Sequence, residues 1–149
     1  MRLIVQRVTQ ASVTVEEECI SQIGQGLLIF VGVEKKDTEE EIKALAQKIS
    51  RLRIFEDENH KMNLSIKDIN GSILSVSQFT LLANTKRGNR PSFGHAEEPK
   101  QAEKQYQYFN TCLEEAGIEV KIGRFGSDMD VALHNDGPVT LFFDTREGK

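Results

Sequence analysis

Gly26-Leu27-Leu28-Ile29-Phe30-Val31-Gly32 is the stretch that most limits what this chain can fold into. It is a continuous apolar run bounded by glycines, the pattern of a strand buried on both faces. Such a strand needs partners beside it and cover above and below it. The run is far too short to span a bilayer. Gly24-Gln25-Gly26 just before it reads as a turn into the strand rather than a phosphate loop.

The cover comes from two helices. Ile42, Leu45, Ala46, Ile49 and Leu52 fall at i, i+3, i+4, i+7 and i+10, one face of a helix. Thr38 with Glu41 forms a capping box ahead of it. Ala102, Tyr106, Phe109, Leu113 and Ala116 are spaced 4, 3, 4 and 3, with Pro99 at the first turn and Gly117 at the stop. Both helices are read as structural.

Other segments read as strands. Residues 2–8 and 12–16 predict two strands with Gln10-Ala11-Ser12 between them. Ile73-Leu74-Ser75-Val76-Ser77 predicts a strand running on into Gln78-Phe79-Thr80-Leu81-Leu82. Late strands are expected over residues 118–122, 130–134 and 139–143, with Asn135-Asp136-Gly137 as a hairpin turn between the last two. Strands and helices neither alternate strictly nor segregate. The expectation is a mixed α/β fold: a curled, barrel-like mixed sheet with two main helices packed outside, as a single domain over residues 1–149.

Composition narrows the class. Among 149 residues, 38% are hydrophobic and 28% charged, which predicts a folded, soluble chain. The charged N-terminus, Met1-Arg2-Leu3-Ile4-Val5-Gln6-Arg7, lacks a signal-peptide pattern, so a cytoplasmic location is expected. Cys19 and Cys112 are expected as small core residues. His60, His95 and His134 are scattered without ligand spacing, so no metal or cofactor is expected. The net charge of -4 argues mildly against nucleic acid as a partner. Lys86-Arg87-Gly88-Asn89-Arg90-Pro91 is the one dense basic segment, either a solvated loop or a contact for RNA phosphates.

Few motifs carry chemistry on their own. There is no Gly-x-Ser-x-Gly elbow and no Walker loop. Ser77-Gln78-Phe79-Thr80 is a polar cluster at a strand end, a place where functional groups and ordinary β-rich hydroxyls both occur. Gly137-Pro138 fits an ordinary turn entering an edge strand.

Taken together, however, the segments form a family pattern. Ser77-Gln78-Phe79-Thr80-Leu81-Leu82-Ala83 and Asn135-Asp136-Gly137-Pro138-Val139-Thr140 resemble the motif pair of the D-aminoacyl-tRNA deacylases of bacterial type. So do residues 1–15 and 26–34, Leu52-Arg53-Ile54-Phe55-Glu56-Asp57, Lys61-Met62-Asn63-Leu64-Ser65, Arg90-Pro91-Ser92-Phe93 and Gly123-Arg124-Phe125-Gly126. Several ungapped motifs in family order make the resemblance specific.

The resemblance implies hydrolysis of the ester joining a D-amino acid, or glycine on a non-cognate tRNA, to the terminal ribose. It implies a homodimer with the site at the interface, and a cis Gly137-Pro138 peptide reaching into the partner's pocket. Ser77, Gln78, Phe79 and Thr80 would form the facing wall, while Arg7, Phe125 and Met129 would line or brace the pocket. Thr80 carries a hydroxyl, but no base is visible beside it in sequence, and an unassisted hydroxyl is a weak nucleophile. The expected oxyanion donors are the backbone N–H groups of Phe79 and Thr80, with the ribose 2′-hydroxyl helping to activate water. Lys86, Arg87 and Arg90 would meet phosphates at the acceptor end of the tRNA. Two other readings stand beside this one: a hydrolase of small esters or N-acyl groups on the same fold, and a non-catalytic nucleic-acid-binding module.

Overall fold

The computed structural model describes residues 1–147, so the last two residues of the expected 1–149 domain lie outside it. The chain runs β1 (Arg2–Val15), β2 (Glu18–Ile23), β3 (Gly26–Gly32), α1 (Glu39–Arg51), β4 (Phe55–Glu56), β5 (Met62–Leu64), β6 (Ser72–Ser77), a short 3₁₀ turn (Phe79–Leu82), α2 (Pro99–Glu115), β7 (Glu119–Ile122) and β8 (Asp130–Asp144). The main sheet has the order β2-β1-β3-β6-β7, with β8 also paired to β1. β3, β6 and β7 are parallel, and β1 is antiparallel to β2, β3 and β8. The Ser21 hydroxyl donates to the Ile122 carbonyl, linking β2 to β7 and nearly closing the curl. The expected mixed, barrel-like α/β fold with two helices is the fold observed.

The apolar run is buried on both faces, as its composition predicts. Leu27, Ile29 and Val31 of β3 join a core under the helices, and Leu28 joins a second core on the other side. β6 splits in the same way, Ile73 to the first and Leu74 and Val76 to the second. The helices contribute Ile42, Leu45, Ala46 and Ile49 from α1 and Tyr106, Phe109 and Leu113 from α2. The capping box forms: Glu41 N–H donates to Thr38 Oγ1 at 3.2 Å, and Thr38 N–H to Glu41 Oε1 at 3.2 Å. Pro99 opens α2, and Gly117 beyond its end takes φ +92°, a conformation that favours glycine.

Four local expectations are corrected. The two strands expected at residues 2–8 and 12–16 are one 14-residue strand, β1. Thr9 is an extra residue between the pairs Val8↔Asn135 and Gln10↔His134. This bulge changes the phase of the strand. Leu3 and Val5 therefore face the helices, while Val8, Ala11, Val13 and Val15 face the second core. Strand β6 stops at Ser77, and Phe79–Leu82 turns into the 3₁₀ helix instead of continuing extended. Asn135-Asp136-Gly137 is not a hairpin: β8 continues along β1 on both sides of it. Four residues, 136–139, bulge out opposite the single residue Arg7 between the pairs Val8↔Asn135 and Gln6↔Thr140. Finally, Cys19 is exposed rather than buried, and Cys112 is partly exposed.

Tyr106 ties α2 to the sheet, its hydroxyl donating to the Ser75 carbonyl at 2.6 Å. Burial holds its pKa above the ordinary tyrosine value. A raised folded pKa leaves its contribution intact below about pH 10, the unfolded value. As pH rises further, the unfolded chain ionises first and stability falls. Tyr106→Phe is expected to cost about 1 kcal/mol at pH 7. It should also remove this residue's share of the alkaline loss. Urea denaturation at neutral pH and above pH 10 measures both effects, and an unchanged alkaline slope would refute the second.

Candidate active site

The C-terminal ends of the parallel strands β3, β6 and β7 converge on one cavity of about 730 Å³. Carboxyl ends of parallel strands are where open α/β sheets leave a crevice, because the chain departs there in different directions. β6 delivers Ser77, Gln78 and Phe79 to the wall. The chain after β7 delivers Phe125 and Met129. The first turn of α2 and the residues before it close the remaining side with Glu98, Pro99 and Ala102.

The wall is held by backbone contacts. Gln78 N–H donates to the Val31 carbonyl at 2.8 Å, extending the β3–β6 pairing by one residue. Gly32 is small because the turn packs onto it: a Cβ there would lie 2.7 Å from Leu82 Cδ2 and 2.9 Å from Leu81 Cβ. The first bond of the turn runs from Leu81 N–H to the Gln78 carbonyl at 3.2 Å, so the Phe79 and Thr80 N–H groups precede it. Gln78 supplies no side-chain cap. The first N–H groups of a helical turn have no partner within that turn.

The Thr80 hydroxyl is exposed and accepts a hydrogen bond from the Gln78 side-chain amide. That neighbour is a donor, not a base. Phe79 is 58% exposed and meets Phe93 edge to face with ring centroids 5.0 Å apart. On the floor, Phe125 packs against Tyr106 at 6.1 Å. Met129 sits over Gly123, where a Cβ would come within 2.6 Å of its sulfur. The rim is polar. Lys35, Glu97, Glu98 and Asp128 line it, and Glu98 is engaged in capping α2 through Gln101 N–H at 2.7 Å.

Gly137 and Pro138 lie elsewhere. Their peptide is cis and both residues are exposed, in the bulge opposite Arg7. Arg7 is 4% exposed and braces that bulge, donating from Nε to the Asp136 carbonyl at 2.9 Å and from Nη1 to the Ile54 carbonyl at 2.7 Å. Arg7 pairs with Leu27, whereas Ser77 pairs with Val31. Four residues of strand, about 13 Å, therefore separate the bulge from the near edge of the cavity. Within one chain, Ser77, Gln78, Phe79, Phe125 and Met129 are brought together; Thr80 follows them in the turn but is not among the lining residues, and Arg7, Gly137 and Pro138 form a second group apart.

Lys86, Arg87 and Arg90 are exposed on a loop pinched by the Asn84–Ser92 pairing, with Asn84 N–H donating to the Ser92 carbonyl at 2.7 Å. The loop leads from the 3₁₀ turn to Phe93, so it stands beside the cavity. Sequence reasoning missed Lys35, Glu97, Glu98 and Phe93 as lining residues. Phe93 was visible as the end of Arg90-Pro91-Ser92-Phe93. The two glutamates were visible only as the polar pair ahead of Pro99.

Comparison with known proteins agrees with this architecture. The model of the D-Tyr-tRNA(Tyr) deacylase family matches residues 4–144. A D-aminoacyl-tRNA deacylase of Bacillus pumilus is 55% identical, covering 99% of this chain and 100% of the relative. One of Exiguobacterium is 56% identical, covering 97% and 98%. Among solved structures, a c-Myc DNA unwinding element binding protein superposes with a TM-score of 0.90 at 42% identity, covering 97% of this chain and 98% of that one. A probable eukaryotic D-amino acid tRNA deacylase superposes with a TM-score of 0.82 at 16% identity, covering 95% and 97%, and shares the fold. With a family model spanning nearly the whole chain and relatives above 50% identity over it, this chain belongs to the D-aminoacyl-tRNA deacylases, a family of hydrolases.

Proposed function

We propose that this chain cleaves the ester of D-aminoacyl-tRNA, and of glycine on a non-cognate tRNA. It acts as a cytoplasmic homodimer in which Gly137-Pro138 of each subunit closes the cavity of the other. The separation of the two motifs carries this reading. An exposed, rigidly braced Gly-Pro bulge about 13 Å from its own cavity cannot touch a ligand there, but a second copy can present it. A face for that second copy exists. Ile4 lies directly across from Phe30 on one side and Phe142 on the other, on the sheet face opposite the helices. Phe142 is 53% exposed, and a cross-strand apolar row of this kind favours burial.

In this site the Gly137-Pro138 backbone does the selecting. A fixed main-chain wall leaves room for hydrogen at the chiral centre and clashes with a side chain placed there. It ignores the identity of the side chain on the other hand of the centre, so many D-amino acids and glycine pass. The Phe79 and Thr80 N–H groups, free of partners within the turn, stabilise the oxyanion, and the ribose 2′-hydroxyl assists the attacking water. Gln78 donates to the Thr80 hydroxyl and cannot deprotonate it, which supports a positioning role for Ser77, Gln78 and Thr80. Lys86, Arg87 and Arg90 take phosphates near the acceptor end.

The test is a paired assay with one amino acid in both configurations on one tRNA. The D-ester is expected to turn over at least about a hundredfold faster than the L-ester. Equal rates would remove the chiral filter. Thr80→Ala is expected to keep turnover within about tenfold, and its complete loss in a folded protein would make the hydroxyl the nucleophile. The likeness to a DNA unwinding element binding protein favours a second reading, a nucleic-acid-binding module. DNA binding with no turnover of either ester would select it.

A further inference from the structure

A second cleft lies between the helices, away from the cavity and on the face opposite the proposed dimer contact. It encloses about 320 Å³, and the charged residues of its lining are Lys43 and Arg51 of α1, Lys67 from the segment before β6, and Glu115 of α2. All four side chains are exposed, and three of them are cations. Among the described residues, none of the three cations makes an ion pair. Convergence of three unpaired cations on one concavity is unexpected in a chain of net charge -4. Helix-end electrostatics account for part of it. Arg51 is in the last turn of α1, and Lys67 lies against Gly117 at the end of α2, where its Cε would be 3.8 Å from an added Cβ. They do not account for Lys43, which is neither in the last turn nor paired.

The position of the cleft suggests its ligand. Helix α2 runs between the two sites, with Ala102 lining the cavity and Glu115 lining the cleft. Thirteen residues of helix make about 20 Å. At roughly 3 Å of rise per nucleotide in an A-form RNA helix, that is on the order of six nucleotides. We infer that Lys43, Arg51 and Lys67 form a second RNA contact, taking backbone phosphates of the tRNA about six nucleotides from the 3′ end held in the cavity. This inference rests on the aminoacyl-tRNA reading. It adds that the enzyme holds the double-stranded acceptor arm as well as the terminal nucleotide.

The experiment compares the wild-type chain with the Lys43→Glu, Arg51→Glu, Lys67→Glu triple variant and with its all-Gln counterpart, after thermal unfolding shows all three folded. Substrates are a D-aminoacyl-tRNA and a D-aminoacyl-adenosine, which is too short to reach the cleft. The charge-reversed variant is expected to raise KM for the tRNA at least tenfold at low salt with kcat unchanged, and the Gln variant to fall between. KM for the adenosine ester should not move. The salt dependence of log KM should become shallower by about 0.9 for each phosphate that the variant no longer neutralises. Unchanged KM and salt slope with the tRNA, beside normal turnover of both substrates, overturn the contact and leave the activity standing. If the wild type cleaves neither ester, the activity fails and binding of uncharged tRNA decides the contact: a tenfold loss in the triple variant supports it, equal binding overturns it. Inorganic phosphate occupying the cleft tightly with no effect on tRNA affinity would also overturn the RNA assignment.

Discussion

Replacing Gly137 by alanine is expected to lower kcat/KM for a D-aminoacyl-tRNA by at least about a hundredfold, the cost of misplacing a positioning group by an ångström. Gly137 has φ +147°, and a Cβ there would lie 2.8 Å from Val139 N and 3.3 Å from Arg7 Nη2. The backbone must shift, and with it the Asp136 carbonyl that Arg7 holds. The bulge is exposed, so the fold should survive. The same variant reports on the assembly. Ala96 lines the cavity, and Ala96→Trp should fill it. Neither variant alone should be active. In the proposed dimer, half of the co-expressed pairs would hold one of each, and each such pair would rebuild one of two sites. About a quarter of wild-type activity should return. No recovery on mixing would place the whole site within one chain.

The largest loss of stability is expected from Gly26→Ala. Gly26 pairs with Ser72 where β3 and β6 begin to run side by side. A Cβ would fall inside the envelope of the Ser72 carbonyl, with the Ser72 carbonyl carbon at 2.8 Å and its nitrogen at 2.9 Å. These are backbone atoms, which cannot rotate away as a side chain can. The cost should exceed about 3 kcal/mol, above the usual range for overpacking. That corresponds to a Tm lowered by about 6–12 °C or more for a chain of this size. Calorimetry measures it, and a Tm within a degree of the wild type would mean that the parallel pair can part there freely.

What the sequence made legible was what short-range chemistry decides. Thr38, Glu41, Pro99 and Gly117 mark helix ends because their partners lie within four residues. The run of residues 27–31 marked a doubly covered strand because both neighbours of each residue were apolar. What it hid depends on distant partners. Thr9 looks like any strand residue, and only the pairing of β1 with β8 makes it a bulge. Asn135-Asp136-Gly137 carries a strong hairpin signal, yet the pairing with β1 resumes at Thr140 and carries β8 straight on. The 3₁₀ turn at Phe79–Leu82 packs onto the glycine at position 32, nearly fifty residues earlier. The motif resemblance pointed to Ser77, Gln78, Phe79 and Thr80, with Phe125 and Met129, and all of these but Thr80 line one cavity. The gap between them and Gly137-Pro138 could not be seen without strand register.

The phase change at Thr9 also bears on how the molecule comes apart. Strand β1 gives its first half to the core under the helices and its second half to the core on the other side. Strands β3 and β6 divide their side chains between the same two compartments. These three strands are walls that the two compartments share, although the helices cover only the first. Melting one strips the backing from the other, so the two cores behave thermodynamically as one cooperative unit. A cavity cut into either core should shift a single transition, and the helices should not melt off a sheet that remains folded.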